Sequence, residues 1–380
     1  MKDFPAHFAP ELRVKSPGRI NLIGEHTDYN MGYVLPAAIE KRIIMEFQRN
    51  GSQKHCRLFS KNFNAYFEFD LTALAPSKVA WENYVLGVVN EITKRSEGMG
   101  GFDCVLESDL PAGSGLSSSA ALECGLAYGL NQLFDLGLDK LELIKLSQRA
   151  EHTYVGTQCG IMDQFASVMG KAEHAIFLDC RSLAYEMVPI DIDPYKIILL
   201  NTKVAHNLAT SEYNVRKRQC EAGIAALQER YPTVTSLRDV TEAMLLSCKQ
   251  EMDEIVYRRC DFILKENERV LRMVKALRQN DLQEVGKLLY EAHEGIRRDY
   301  EVSCVESDFL VDFTKDLTGV LGARQTGGGF GGCTLNLVHG SFLDEFIAKA
   351  TISYEEAFQI VLEAYEVRPS QGTFSNELGD

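Results

Sequence analysis

The stretch Asp109-Leu-Pro-Ala-Gly-Ser-Gly-Leu-Ser-Ser-Ser-Ala-Ala-Leu-Glu-Cys-Gly-Leu126 runs from the end of a β-prone segment, through Pro111, Gly113 and Gly115, into three serines and then an Ala/Leu-rich helical pattern. Glycines let a backbone approach a ligand closely, and the first unpaired N–H groups of a helix, with its dipole, favour an anion. The design is that of a phosphate cradle. No Gly-Lys-Ser/Thr follows, so it is not a Walker A loop, and no G-x-S-x-G occurs, so it is not a nucleophile elbow. A serine-rich helix cap is the competing reading, but three serines are more than a cap requires.

Outward from this joint, Gly322 to Val338 reads GARQTGGGFGGCTLNLV, with five glycines in the six residues from 327 to 332. Gly327, Gly329 and Gly332 satisfy the dinucleotide fingerprint G-x-G-x-x-G. That fingerprint should open a helix, whereas CTLNLV alternates as a strand, so a tight, backbone-rich loop beside a ligand is expected instead. In RAEHTYVGTQCGIMDQF (149–165), Glu151 falls at the end of a predicted helix and Asp163 follows a glycine-interrupted loop amid Ile161, Met162 and Phe165. A carboxylate in such surroundings needs a cation, several hydrogen bonds or a ligand hydroxyl, unless it merely caps the next helix. GRINLIGEHTDYN (18–30) crowds Arg19, Glu25, His26 and Asp28 among further hydrogen-bonding side chains. A plain polar surface loop has no need of all four together.

The chain's 380 residues, 45% of them hydrophobic, suffice for two or three globular domains. A formal net charge of -14 repels phosphate backbones and anionic membranes, so neither nucleic acid nor a membrane surface is an expected partner. A phosphate-bearing ligand must then be held by backbone amides, a helix N-terminus or a metal ion. The ten cysteines are scattered without a C-x-x-C pair and read as reduced, buried thiols. With no apolar run of signal-peptide or membrane-spanning length, a cytoplasmic protein is expected.

Strand signals (RIIMEFQ, HCRLF, AYFEFDL, GFDCVLESDLP) and the helical WENYVLGVVNEITKR fill the early chain, with helices expected over 117–134 and 139–155. Strands follow at AIFLDC and KIILLNT, and long mixed-charge helices over 211–230, 257–278 and 281–296. The texture changes near 185–210, predicting two α+β halves with a ligand site where they meet.

Taken together and in order, these motifs resemble those of the GHMP small-molecule kinases, and within them the galactokinase family: PGRINLIGEHTDYN is similar to its signature, LPAGSGLSSSAALE to its phosphate loop, and CGIMDQF, NTKVAHNLATSEYNVR and ARQTGGGFGGC extend the likeness to residue 333. The resemblance implies an α+β, two-domain GHMP kinase fold, with a ribosomal-protein-S5-like domain (1–195), a ferredoxin-like domain (196–380) and the active site in the cleft between them. It implies ATP-dependent phosphorylation of the anomeric hydroxyl of α-D-galactose to galactose 1-phosphate, the first committed step of the Leloir pathway, by a monomer or weakly associating homodimer.

By the same resemblance Asp163 is the candidate general base and Arg19 its neighbour, which would hold Asp163 ionised and stabilise developing charge, the residue types fitting either proton abstraction or electrostatic stabilisation with late proton loss. Glu25, His26, Asp28, Gly160 and Tyr213 would meet the sugar. The backbone of Gly113, Ser114, Gly115, Leu116, Ser117, Ser118 and Ser119 would cradle the ATP phosphates, and Ser119 and Glu151 would bind Mg²⁺ as hard oxygen ligands. Trp81 falls where the family approaches adenine, and equally suits a core aromatic. Ser16, Met31 and Gln325 depart from the usual pattern, and the tail from Glu366 onward is less family-like. A kinase for N-acetylgalactosamine, galacturonate or arabinose, and a non-catalytic galactose and ATP sensor, are the alternatives.

Overall fold

The computed structural model describes residues 8–96, 98–111, 113–205 and 209–376. In chain order the strands are β1 (Leu12–Asn21), β2 (Tyr33–Val34), β3 (Pro36–Arg49), β4 (His55–Ser60), β5 (Ala65–Asp70), β6 (Phe102–Ser108), β7 (His174–Asp179), β8 (Tyr185–Pro189), β9 (Tyr195–Ala205), β10 (Val320–Thr326), β11 (Gly331–His339), β12 (Glu363–Val367) and β13 (Phe374–Asn376). The helices are α1 (Ala80–Thr93), α2 (Ser118–Leu133), α3 (Lys140–Ala150), α4 (Met162–Met169), α5 (Ala209–Arg230), α6 (Glu242–Ser247), α7 (Glu254–Arg278), α8 (Leu282–Gly295), α9 (Val305–Thr314) and α10 (Leu343–Phe358).

The first half is a six-stranded sheet ordered β13-β1-β3-β6-β4-β5, in which only β4 and β6 run parallel. In β3, Ile43, Met45 and Phe47 are buried while Ile44 and Glu46 are half-buried, the alternation that puts one face on the helices. The second half is a four-stranded antiparallel sheet, β10-β11-β9-β12, and β2, β7 and β8 form a small third sheet. One apolar core joins the halves: Val14, Phe47 and Leu130 of the first belong to the same cluster as Leu199, Leu335 and Leu289 of the second. The fold is the expected α+β pair.

Two sequence expectations are refined. The helix expected over 139–155 is α-helical only to Ala150, and Glu151–Val155 form a π-turn that Gly156 ends at a φ of 86°. One-turn π segments re-aim side chains within a helix, and this one governs Glu151. The tail closes both sheets. Strand β12 lies in the second sheet, the Ser370 and Thr373 amides donate to Ala38 and Ser167 at 2.8 and 2.7 Å, and β13 completes the first sheet beside β1. Ser16 is part of the same attachment, its hydroxyl 2.9 Å from that of Thr373 and 3.2 Å from that of Ser167.

Candidate active site

The joint between β6 and α2 is built as its sequence requires. Gly113 and Gly115 have φ of 68° and 74°, in the region that glycine adopts without strain. Ser114 is buried with its hydroxyl donating to the Pro111 carbonyl at 2.7 Å, and the Leu116 carbonyl accepts from the Arg19 amide at 3.1 Å. Ser117 precedes the helix with a φ of 57° and does not cap it with its side chain. Its hydroxyl donates instead to Asp163 Oδ2 at 2.5 Å, so the cap reading fails. Ser118 and Ser119 are the first residues of α2, where backbone N–H groups are free for an anion.

Arg19 ties three motifs together. Its Nε and Nη2 donate to the two oxygens of Asp163 at 2.7 and 2.8 Å, and its Nη1 donates to the Gly115 carbonyl at 2.6 Å. A bidentate pair of this kind fixes orientation as well as charge. Asp163 sits in the first turn of α4, and its side chain keeps 26% exposure against 4% for Arg19. The carboxylate is the half that can meet a ligand.

The segment expected to hold a sugar is a buried loop: Glu25, His26 and Asp28 are 2%, 3% and 8% exposed. The three side chains line one cavity of about 110 Å³ with Arg19, Glu151, Thr157, Cys159, Met162, Asp163, Tyr213, Gly327 and Gly328. Wider surface clefts elsewhere contain none of the motif residues. Gly160 touches Asp28 so closely that a Cβ there would lie 2.6 Å from the Asp28 Cβ.

Burial, reinforced by the charge of Asp163, pushes the Asp28 carboxyl up to about 7. Burial and the Arg216 cation push His26 down to about 3, so its imidazole is neutral, with Nδ1 2.8 Å from the Tyr29 hydroxyl. The rings of Tyr29, Tyr213 and Tyr300 lie 5.7, 5.1 and 4.8 Å from it. Among the described residues Nε2 has no partner within hydrogen-bonding geometry, although the Gly328 backbone lies near enough to the imidazole to favour its charged form slightly. A ligand hydroxyl would give it one.

Behind Asp163, Glu151 and Glu123 share the Gln164 side chain, whose Nε2 donates to them at 2.9 and 3.3 Å. Burial and Asp163 push Glu151 up to about 7, while burial and Glu151 hold Glu123 well above the usual carboxylate range. Glu123 was not anticipated from the sequence.

The glycine run is explained by backbone-to-backbone contact rather than by a dinucleotide. It turns between the antiparallel strands β10 and β11, and a Cβ on Gly327 would meet the Gly115 carbonyl at 2.8 Å. The Gly327 amide donates to Glu25 Oε1 at 2.8 Å, and Asn21 Nδ2 donates to Oε2 at 2.6 Å. Arg324, fully buried, pairs with Glu25 Oε2 and donates to the Asn21 and Leu22 carbonyls at 3.0 and 2.9 Å. Its arginine was visible before the glycines, but no local pattern tied it to a loop 300 residues earlier.

A glycine-bearing, serine-led helix start bonded directly to an Arg–Asp pair in the first half, with Tyr213, Gly327 and Gly328 of the second half lining the same cavity, is the arrangement expected of a small-molecule kinase of the GHMP class. Models of the GHMP kinases N-terminal and C-terminal domains match residues 83–171 and 273–353, and the galactokinase galactose-binding signature matches residues 2–49. Galactokinases of Thermotoga neapolitana and Thermosipho africanus are 41% and 42% identical, each alignment covering 95% of this chain and 99% of the relative. The solved Lactococcus lactis galactokinase complexed with galactose superimposes with a TM-score of 0.92 at 36% identity, over 97% of this chain and 95% of that one. A Methanococcus jannaschii mevalonate kinase, 15% identical with a TM-score of 0.66 over 97% of this chain and all of that one, shares the fold. The chain belongs to the galactokinase family. The related-sugar and sensor alternatives are not favoured.

Proposed function

We propose that the chain transfers the γ-phosphoryl group of ATP to the anomeric hydroxyl of galactose, forming the new O–P bond as the bond to the ADP oxygen breaks. The observation that carries the reading is Asp163, bonded at once to Arg19 and to Ser117 of the phosphate loop inside the cavity of the sugar signature. Asp163 is the acceptor for the hydroxyl proton, and Arg19 offsets the charge that develops on the attacking oxygen and the moving phosphoryl. His26 Nε2, Asp28 and Tyr213 face the sugar, with Gly160 keeping Asp28 in place. Glu25 holds the loop through three partners and, as a carboxylate with about four acceptor positions, keeps one for a sugar hydroxyl. Amides from Gly113 to Ser119 cradle the phosphates.

Mg²⁺ fits the donor set. Asp28, Glu123, Glu151 and Asp163 crowd this region, and burial and mutual repulsion raise the carboxyls of Asp28, Glu123 and Glu151, a field that a divalent cation would offset. Ser119 and Glu151 would hold it; bound there, it supplies charge neutralisation on the β- and γ-phosphates. Among the described residues no helix is long and apolar enough to cross a membrane. We further propose a cytoplasmic monomer or weak homodimer without nucleic-acid or membrane partners, divided near residues 195/196 except for the returning tail.

The test is ADP release with Mg-ATP and galactose by the wild type and Asp163→Asn. The variant should lose at least ~10³-fold in turnover while calorimetry still detects galactose. Near-normal turnover would remove Asp163 from the chemistry.

A further inference from the structure

The loop that carries Glu25, His26 and Asp28 is seated on a helix of the opposite half. Glu266 of α7 is fully buried, and its two oxygens are divided: Oε1 accepts from the Gly24 amide at 2.8 Å, and Oε2 accepts from Arg269 Nε at 2.6 Å. One residue on, Asn267 Oδ1 accepts from the Tyr33 amide at 2.8 Å, so the same stretch of helix grips both ends of the loop. Gly24 has a φ of 103°, and a Cβ there would meet Val270 Cγ2 at 2.9 Å, the next turn of α7. Within the loop, the Thr27 hydroxyl lies 2.8 Å from the Gly24 carbonyl and 2.5 Å from that of Tyr33, closing the ends on each other. The loop is thus internally stiff and externally hung on α7.

A buried ion pair is a costly way to stabilise a fold, since apolar residues of similar volume do as well or better. What Glu266 and Arg269 supply that apolar residues cannot is a directed acceptor under one backbone amide, adjacent to Glu25. We propose that Glu266 is a positioning residue of the sugar pocket, setting the height of the 24–33 loop so that sugar affinity, and not nucleotide affinity, depends on it. The inference rests on the sugar reading of that pocket.

Glu266→Gln tests it. The variant keeps the shape, but whichever way its amide turns, an N–H meets either Arg269 Nε–H or the Gly24 N–H. KM for galactose should rise by ~10-fold or more, with kcat within about three-fold and KM for Mg-ATP within about two-fold of wild type. A role in stability alone would instead lower Tm and the active fraction, and leave both KM values unmoved. Galactose KM within about two-fold of wild type in a folded Glu266→Gln would overturn the proposal. Should that variant fail to fold, Arg269→Lys, which keeps the cation but loses the directed Nε–H, carries the same expectation for galactose KM, and an unchanged value overturns it. Calorimetry separates the two levels: wild type that binds no galactose would overturn the sugar reading and this inference with it, whereas equal galactose affinity in wild type and Glu266→Gln would overturn this inference alone.

Discussion

Gly160→Ala tests the sugar pocket by its tightest contact. The backbone at 160 is not in the left-handed region, so a methyl group is forbidden by its neighbour and not by conformation. The added Cβ would lie 2.6 Å from the Asp28 Cβ and nearer still to the carboxyl; ordinary contact begins at 3.4 Å, so Asp28 must retreat by at least 0.8 Å. The retreat strains what holds it, the Tyr29 amide at 2.9 Å on Oδ1 and the Met162 amide. Hydrogen bonds to a charged group are worth roughly 1.5–3 kcal/mol, and a displacement of ~1 Å at a reacting site costs up to ~10²-fold. Overpacking itself adds about 1–3 kcal/mol of destabilisation. In a coupled ADP-release assay, kcat/KM for galactose should fall roughly 10²-fold, mainly through KM, with KM for Mg-ATP little changed. Retention of kcat/KM within about three-fold would show that Asp28 does not set the pocket's geometry.

Ser117→Ala should lower kcat about ten-fold, by removing the donor on Asp163, and leave Tm unchanged because the hydroxyl caps nothing; a Tm loss with intact kcat would return Ser117 to a structural role. Asp28 gives a signed pH effect: with its carboxyl raised from 3.8 to about 7, the folded chain keeps a proton that the unfolded chain releases, so this contribution is complete below about pH 4 and is lost as pH rises through 7. Asp28→Asn does not titrate, so its urea-unfolding free energy relative to wild type should climb between pH 4 and 8 by up to about 4 kcal/mol, about three pH units at 1.36 kcal/mol each; a pH-independent difference would contradict the shift.

The candidate site residues that the structure brings into one cavity were largely legible because their chemistry is local. Arg, Glu, His and Asp within one short stretch, glycines before a serine-led helix, and a carboxylate among apolar residues each violate what a structural segment needs. What holds those residues was not legible. Glu266 and Asn267 act on the loop from 242 and 234 positions away through one backbone hydrogen bond each, and Arg324 from 303 and 302 through the Asn21 and Leu22 carbonyls and also through the Glu25 carboxylate, so none leaves a spacing to read. The role of Ser117 was half visible: three serines exceeded a cap's needs, but nothing in the sequence aimed that hydroxyl at Asp163. The π-turn at Glu151 escaped because it differs from an α-helix only in which carbonyl each amide finds, and side-chain periodicity does not record that.

The net charge of -14 makes the site's electrostatics a local problem, since the chain as a whole repels the polyanion it must bind. The answer in this structure is to separate the two charges in space. Arg19 is occupied by Asp163 and the Gly115 carbonyl, which leaves the phosphate side to backbone amides and the start of α2, groups that attract an anion without carrying a mobile charge. The carboxylates accumulate behind, where Glu123, Glu151 and Asp28 are all pushed toward their neutral forms. That arrangement costs the fold electrostatic repulsion, which, under the proposed function, a divalent cation at Glu151 and sugar hydroxyls at Asp28 would relieve. Asp163 is held in place by its bidentate arginine and the Ser117 hydroxyl. In the proposed reaction, the group that takes the proton is therefore the one whose orientation is settled before either substrate arrives.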